Sequence, residues 1–225
     1  MLHRNPAVFY LMNEGRTVFA QLLGFLPKYE FDQRHKAAIN LHTLLTLHGN
    51  FPMATIITSG SVHDVSILDQ LVWEAGAFYI MDRGYLDFAR WHRLHQCGAF
   101  FVTRAKQIFR CTRRHSRPVD RAAGPRFDQT VVTTGMGTRL DYPDPLRRIG
   151  YRDSLTGKSL VFLTNNITVP ALTIAHLYWG TLANRTLVQM AQATSAHQSI
   201  LRHVAHRDAH PILDTHRRFI CSSPF

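Results

Sequence analysis

The sequence predicts an α/β fold built around a mixed β-sheet, in one domain with small additions. The first observation is size and composition, because 225 residues of which 45% are hydrophobic suffice to bury one core. The second is the order of the elements, which runs as a β-hairpin, a helix, a strand, a helix and a strand across residues 37–102. Strands that alternate with helices in this way are typical of α/β sheets.

The first segment, residues 8–31, has an apolar pattern with helical spacing that includes Val8, Leu11 and Met12. Gly15 interrupts this pattern, and Pro27 limits the second of the two helices that it predicts. The segment is too short to form a core of its own.

A β-hairpin is predicted next, because the side chains of residues 37–47 alternate between apolar and polar and residues 53–58 form a second run of β-type residues. The tripeptide His48-Gly49-Asn50 supplies the turn between them. Pro52 is suited to the first residue of a strand or to a sheet edge.

The next elements alternate between helix and strand. Asp64 is a candidate cap for a short helix, and Asp87 is a candidate cap for a helix that ends near Gly98. Apolar runs at residues 78–81 and 100–102 predict two buried strands.

Residues 103–165 predict a β-rich insertion that is basic in its first part. It contains three candidate strands, at 130–134, 147–152 and 160–164, with a hairpin turn at 154–157. A helix begins after Pro170 and runs through residues 171–178. Residues 179–225 show no amphipathic stripe and predict a poorly ordered tail.

The formal net charge of +11 indicates a polyanionic partner, with nucleic acid as the leading candidate and an acidic membrane surface as the second. An apolar run long enough for a membrane span and a signal-peptide layout are both missing from the sequence. The three cysteines and 14 histidines follow no known ligand spacing. They predict neither a disulfide framework nor a zinc site.

Asp82 is the leading candidate for chemistry, because it ends a buried strand and active sites of open α/β sheets gather at that rim. Two-metal phosphoryl transfer needs two or three converging carboxylates, and one aspartate cannot provide it. The alternative is that Asp82-Arg83-Gly84 is only a turn. Arg104 and Lys106 also follow a strand, so that they either reach phosphate or are simply solvated.

Four segments resemble IS4-family insertion-sequence transposases. They are Arg34 to Leu47, Gly60-Ser61-Val62-His63-Asp64-Val65, residues 78–106 (FYIMDRGYLDFARWHRLHQCGAFFVTRAK) and Leu160 to Asn166. Together they make the resemblance nearly continuous over residues 34–178, while residues 12–33 resemble the extreme N-terminus of the family.

The resemblance implies an RNase H-like core, a DDE triad, Mg²⁺ and transfer of insertion-sequence ends. It places Asp82 on the second catalytic aspartate, which is also a metal ligand, and implies double-stranded DNA carrying inverted repeats as the partner. It also implies a bacterial, nucleoid-associated cytoplasmic protein. Candidate nucleic-acid contacts are Lys36, Arg83, Arg104 and Lys106.

Two departures from the family are expected to remove the partners of Asp82. Gln33 runs directly into Arg34, so that the segment with the first aspartate and the first core strand is expected to be missing. After Tyr178 the sequence lacks the family's helix that carries the glutamate. The hypothesis is that a single-base frameshift near Trp179–Gly180 produced the different sequence found there. The expected organisation is therefore an N-terminal helical remnant (1–33), an incomplete catalytic domain (34–178) and an out-of-frame tail (179–225).

Three interpretations of function follow. The first is a DDE transposase copy that is catalytically inactive, the second a DNA-binding remnant without enzymatic activity, and the third an unrelated RNase H-like nuclease. A sheet without its central strand exposes unpaired edges, and low solubility is expected on that premise.

Overall fold

The computed structural model describes residues 6–13, 39–47, 49, 51–59, 61–154 and 156–181. These residues form a single mixed sheet with strand order β3-β2-β1-β4-β5-β9-β8-β7-β6. Strand β1 runs parallel to β4, and β4 runs parallel to β5, while every other neighbouring pair is antiparallel. The strands are β1 (Val8–Asn13), β2 (Ile39–Thr46), β3 (Pro52–Ser59), β4 (Phe78–Met81), β5 (Phe100–Arg104), β6 (Cys111–Arg117), β7 (Pro125–Thr133), β8 (Leu146–Arg152) and β9 (Ser159–Thr164). The α/β fold class is thus confirmed.

The first strand corrects two predictions. Residues 8–13 are extended and not helical, and β1 occupies the central position between β2 and β4 that the sequence predicted to be empty. All five residues from Val8 to Met12 are buried. A short apolar run that is buried on both faces has the same local pattern as a buried helix segment, which explains the error. The remaining parts of the predicted helical remnant, residues 1–5 and 14–33, lie outside the described residues.

The predicted hairpin is confirmed, because β2 and β3 pair antiparallel from Ile39 opposite Ser59 to Leu45 opposite Pro52. A register irregularity between Leu44 and Leu45 interrupts the ladder. Pro52 is the first residue of β3, and β3 lies at one edge of the sheet. An edge position suits proline, which has no backbone N–H to donate to a neighbouring strand.

The helices cover the two faces of the sheet. They are a 3₁₀ segment (Asp64–Gln70), a 3₁₀ turn (Arg83–Tyr85), α1 (Phe88–Gln96), α2 (Met136–Asp141) and α3, which spans 171–181 within the described residues.

Two of the predicted helix boundaries are confirmed. The side chain of Asp87 caps α1 by accepting a hydrogen bond from the backbone N–H of Arg90, with N and O 2.9 Å apart. Gly98 follows α1 with a φ of 75°, which glycine adopts without steric cost. Asp64 was predicted to be a cap, but His63 occupies the cap position and Asp64 is the first residue of the 3₁₀ segment.

The β-rich insertion extends the core sheet rather than forming a separate unit. Strand β9 pairs with β5, and β8, β7 and β6 follow it in antiparallel order towards the second sheet edge. The strands at 130–134, 147–152 and 160–164 are confirmed with small shifts of their boundaries, and residues 153–158 connect β8 to β9. Strand β6 and helix α2 were not predicted.

Two hydrophobic cores lie on opposite faces of the sheet. The first face packs against the 3₁₀ segment Asp64–Gln70, α1 and the residues around Tyr142, and it includes Leu11 and Met81. The second face packs against α3 and includes Met12, Ile80 and Tyr178. Because successive side chains of a strand alternate between faces, this division also fixes which way the residues at the strand ends point.

Candidate functional site

The candidate site lies where β4 and β5 end. The two strands are parallel, and Met81 pairs with Thr103 at the last position of their register. Asp82 and Arg104 are the next residues along the two strands and therefore lie at the same edge of the sheet. The prediction that Asp82 ends a buried strand is confirmed, since all four residues of β4 are buried.

Asp82 turns the chain at the end of β4. Its backbone is extended (φ −74°, ψ 163°), and its side chain accepts a hydrogen bond from the backbone N–H of Arg83 at 2.9 Å. This bond caps the 3₁₀ turn Arg83–Tyr85. Asp82 therefore stabilises a turn, as the alternative interpretation of Asp82-Arg83-Gly84 predicted. Its carboxylate is half-exposed and lies at the rim of the sheet.

Asp82 shares the second face of the sheet with Tyr178 of α3. Burial raises the pKa of the Tyr178 phenol to about 12, and the negative charge of Asp82 acts in the same direction. The positive charges of Arg104 and Arg83 and a hydrogen bond with Arg104 oppose that rise. Asp82, Arg83, Arg104 and Tyr178 therefore form one electrostatic group, called the rim group below.

The neighbour of Asp82 on β1 is an apolar residue. Leu11 pairs with Met81 at the end of the β1–β4 register, and its continuation places Met12 beside Asp82. Met12 is fully buried in the same core as Tyr178. The strand next to β4 thus has a methionine at the position beside Asp82, on the face of the sheet that includes Tyr178.

The next residue of β1 points to the first face of the sheet, where it meets Asp64. The Nδ2 of Asn13 donates a hydrogen bond to Oδ1 of Asp64 at 2.8 Å. Gly84 leaves room for this carboxylate, since a Cβ at Gly84 would lie 2.9 Å from Oδ2 of Asp64. Asp64, in the segment that resembles the transposases, therefore joins β1 to the turn after Asp82.

A buried histidine supports the same turn from the hairpin. Nδ1 of His42 and the hydroxyl of Tyr85 share a hydrogen bond at 2.7 Å, and Nε2 of His42 and Oγ1 of Thr58 share another at 3.1 Å. Burial lowers the pKa of His42, against the opposing effect of the Asp64 charge. Burial also raises the pKa of Tyr85, and the charges of Asp64 and Asp82 contribute to that rise. A neutral His42–Tyr85 pair therefore holds the 3₁₀ turn against the hairpin.

The rim group does not match the ligand set that two Mg²⁺ ions need, and Asp64, the other carboxylate near this turn, accepts a hydrogen bond from Asn13 on the first face of the sheet. Such a set requires converging carboxylate oxygens, whereas the rim group supplies one carboxylate, two guanidinium groups and a phenol. Across residues 6–181, apart from the gaps given above, no group of three or more His, Cys, Asp or Glu side chains is arranged to hold a metal ion.

The other predicted contacts divide into three cases. Arg83 is exposed and Arg104 is half-buried, and both belong to the rim group. Lys106 is exposed in the loop that follows β5, within two residues of Arg104. Lys36 lies outside the described residues. Sequence reasoning missed Met12 and Tyr178 as neighbours of Asp82, because only strand register and the packing of α3 bring them there.

Comparison with known proteins identifies the class. Residues 21–179 match the family model described as "Transposase DDE domain", and the chain belongs to that family. The interpretation as an unrelated RNase H-like nuclease is therefore set aside. Strand β1 lies before the matched residues, so that one interior strand of the sheet comes from outside the matched segment.

A particular relative extends this identification. The chain is 32% identical over 146 residues to a protein named "Putative transposase y4zB" from Sinorhizobium fredii (strain NBRC 101917 / NGR234). The alignment covers 63% of this chain and 40% of the relative, so the chain spans less than half of the length of that protein. In the described part of the chain, none of the helices has the length and apolar character needed to cross a membrane.

Proposed function

We propose that this chain is an IS4-type transposase DDE domain that binds double-stranded DNA at insertion-sequence ends and does not cut it. The observation that carries the proposal is the composition of the rim group. Asp82, which the resemblance aligns with the second catalytic aspartate, acts together with Arg83 and Arg104 on the phenol of Tyr178, and the continued β1–β4 register puts Met12 next to it.

The charge of the rim group favours a phosphate over a cation. One carboxylate and two guanidinium groups act on the same phenol, which leaves the rim group with a net positive charge. Guanidinium groups bind phosphate through a planar set of donors, and a chain with a net charge of +11 attracts a polyanion over a longer range. Lys106 adds a further exposed cation at the same edge of the sheet.

The same composition of the rim group is the reason why no metal-dependent DNA cleavage is expected. Family members generally use divalent metal ions, which in phosphoryl transfer activate the attacking oxygen and stabilise the leaving one. Carboxylates from more than one element must converge to hold two such ions, and Met12 of β1 cannot act as one of them. The frameshift hypothesis would remove a further carboxylate from the segment after residue 181, which lies outside the described part of the chain.

Replacing Arg104 with glutamine tests the rim group as a phosphate contact. The substitution is expected to weaken binding of a 30-base-pair duplex and to reduce the slope of log Kd against log salt by about 0.9, the value for one phosphate contact. Fluorescence anisotropy between about 50 and 200 mM salt measures both quantities, over the range in which phosphate contacts dominate.

Two control variants separate this role from a general effect of charge. Arg104→Lys retains the charge and should recover most of the slope, whereas Arg139→Gln removes an exposed charge from α2 and should leave the slope nearly unchanged. An Arg104→Gln chain that binds DNA with the affinity and salt dependence of the unmodified chain would contradict the proposal.

A further inference from the structure

The outer edge of the sheet opposite the β2–β3 hairpin is a strongly basic strand. Strand β6 is the last in the sheet order and pairs only with β7 in the described structure. Its sequence, CTRRHSR, contains three arginines, one histidine and no carboxylate. The five residues from Thr112 to Ser116 are all exposed.

A register irregularity concentrates charge in the middle of β6. Arg113 pairs with Val131, and His115 pairs with the adjacent Thr130, so that Arg114 is an additional residue without a partner in the ladder. Insertions of this kind bend a strand and redirect its side chains. The result is two consecutive exposed guanidinium groups, those of Arg113 and Arg114, at the point where the strand bends.

The arginines of this region differ in how they are engaged. Arg117 is tied to Asp128 by an ion pair of 3.3 Å, and Arg148 of β8 lies over the ring of Phe127, 4.8 Å from its centroid. Three more exposed arginines lie in the segments that flank β6 and at the start of β7: Arg110, Arg121 and Arg126. Arg113 and Arg114 are therefore the central members of an exposed basic surface.

We infer that β6 is a second phosphate-binding surface for duplex DNA, with Arg113 and Arg114 as its main contacts; this inference rests on the DNA binding proposed above. Five strand spacings separate β6 from β4 in the sheet order. At about 4.8 Å per spacing the two surfaces are on the order of 24 Å apart, which corresponds to roughly 7 base pairs of duplex. This separation is shorter than a 30-base-pair duplex.

An edge strand also carries charge for a simpler reason, which the test has to separate from DNA binding. Charged side chains on an exposed edge prevent pairing with the edge of another molecule. That role predicts aggregation when the charges are removed and no change in the salt dependence of DNA binding. A phosphate-binding role predicts that the variant stays soluble and that the salt dependence of its DNA binding decreases.

The test compares two double variants of the full chain that lose the same charge. Arg113→Gln/Arg114→Gln is expected to lower the salt slope of binding to a 30-base-pair duplex by about 1.8, which corresponds to two phosphate contacts. Arg139→Gln/Arg152→Gln removes two exposed arginines that lie outside β6 and should change the slope little. Arg113→Lys/Arg114→Lys should recover most of the affinity.

Each other result overturns the inference. If the β6 double variant binds like its matched control while Arg104→Gln still weakens binding, β6 has no DNA role and the rim proposal stands. If it aggregates but its soluble fraction has an unchanged slope, edge protection explains the arginines. If the unmodified chain binds no duplex at all, both proposals fail. Binding to vesicles that contain anionic phospholipid, dependent on Arg113 and Arg114 and without duplex binding, would assign the strand to a membrane surface.

Discussion

Replacement of Leu11 with aspartate is expected to abolish the cooperative unfolding of the chain. Leu11 lies in the middle of β1, is 1% exposed and pairs with Leu44 on one side and Met81 on the other. An unpaired carboxylate at this position loses its hydration without gaining a partner, at a cost of several kcal/mol. A small domain has only about 5–15 kcal/mol of stability in total. Circular dichroism during heating measures the transition.

The control for this prediction is Ile57→Asp, on the edge strand β3. Ile57 is 47% exposed, so that an aspartate at this position remains solvated and should retain a cooperative transition. A Leu11→Asp chain that melts like the unmodified one would show that β1 is not part of the sheet. The unmodified chain itself is expected to unfold cooperatively. Low solubility was predicted because a core strand was thought to be missing, and β1 fills that position in the sheet.

Replacement of Arg147 with methionine is expected to lower the free energy of unfolding by up to about 3–5 kcal/mol, because the buried carboxylate of Asp128 then keeps only its 3.3 Å ion pair with the partly exposed Arg117. The guanidinium of Arg147 binds both carboxylate oxygens of Asp128, at 2.8 and 2.7 Å, and the two side chains are only 3% and 5% exposed. Arg147 also donates to the carbonyl oxygen of Val169, before α3. Urea denaturation monitored by circular dichroism measures the loss.

Two further variants show whether the effect comes from the buried charge. Arg147→Met/Asp128→Leu removes both charges and should recover part of the loss, because no unpaired carboxylate remains. Arg90→Met breaks a 2.6 Å pair with Asp69 and a 2.9 Å pair with Asp87, and because all three side chains are 24–37% exposed, solvent screening limits the expected cost to about 1 kcal/mol per pair or less. Equal losses for Arg147→Met and Arg90→Met would contradict the argument.

Local patterns in the sequence predicted the elements that have a clear apolar period or a capping residue. The β2–β3 hairpin, β4, α1 with its Asp87 cap and β5 belong to this group. Strand β1 was misassigned because a continuous apolar run does not distinguish a buried strand from a helix. Strand β6 was missed because a solvated edge strand rich in arginine has no apolar alternation.

The sequence predicted only those site residues that directly follow a strand. Asp82 and Arg104 each follow an apolar run, and parallel pairing of those runs brings them to one edge of the sheet. The position of Met12 beside Asp82 depends on the β1–β4 register, and that of Tyr178 depends on the packing of α3. Neither relation has a local sequence signal, although both enter the composition of the rim group.

The most direct test of the proposed function is to incubate the chain with a supercoiled plasmid that carries the DNA flanking its own coding sequence, in the presence of Mg²⁺ or Mn²⁺. Gel electrophoresis separates bound, nicked and joined DNA. The proposed function predicts a salt-sensitive shift of intact plasmid, which an Asp82→Asn variant retains. Metal-dependent nicking or strand transfer by the unmodified chain that disappears in Asp82→Asn would contradict it and assign a working catalytic carboxylate to the rim group.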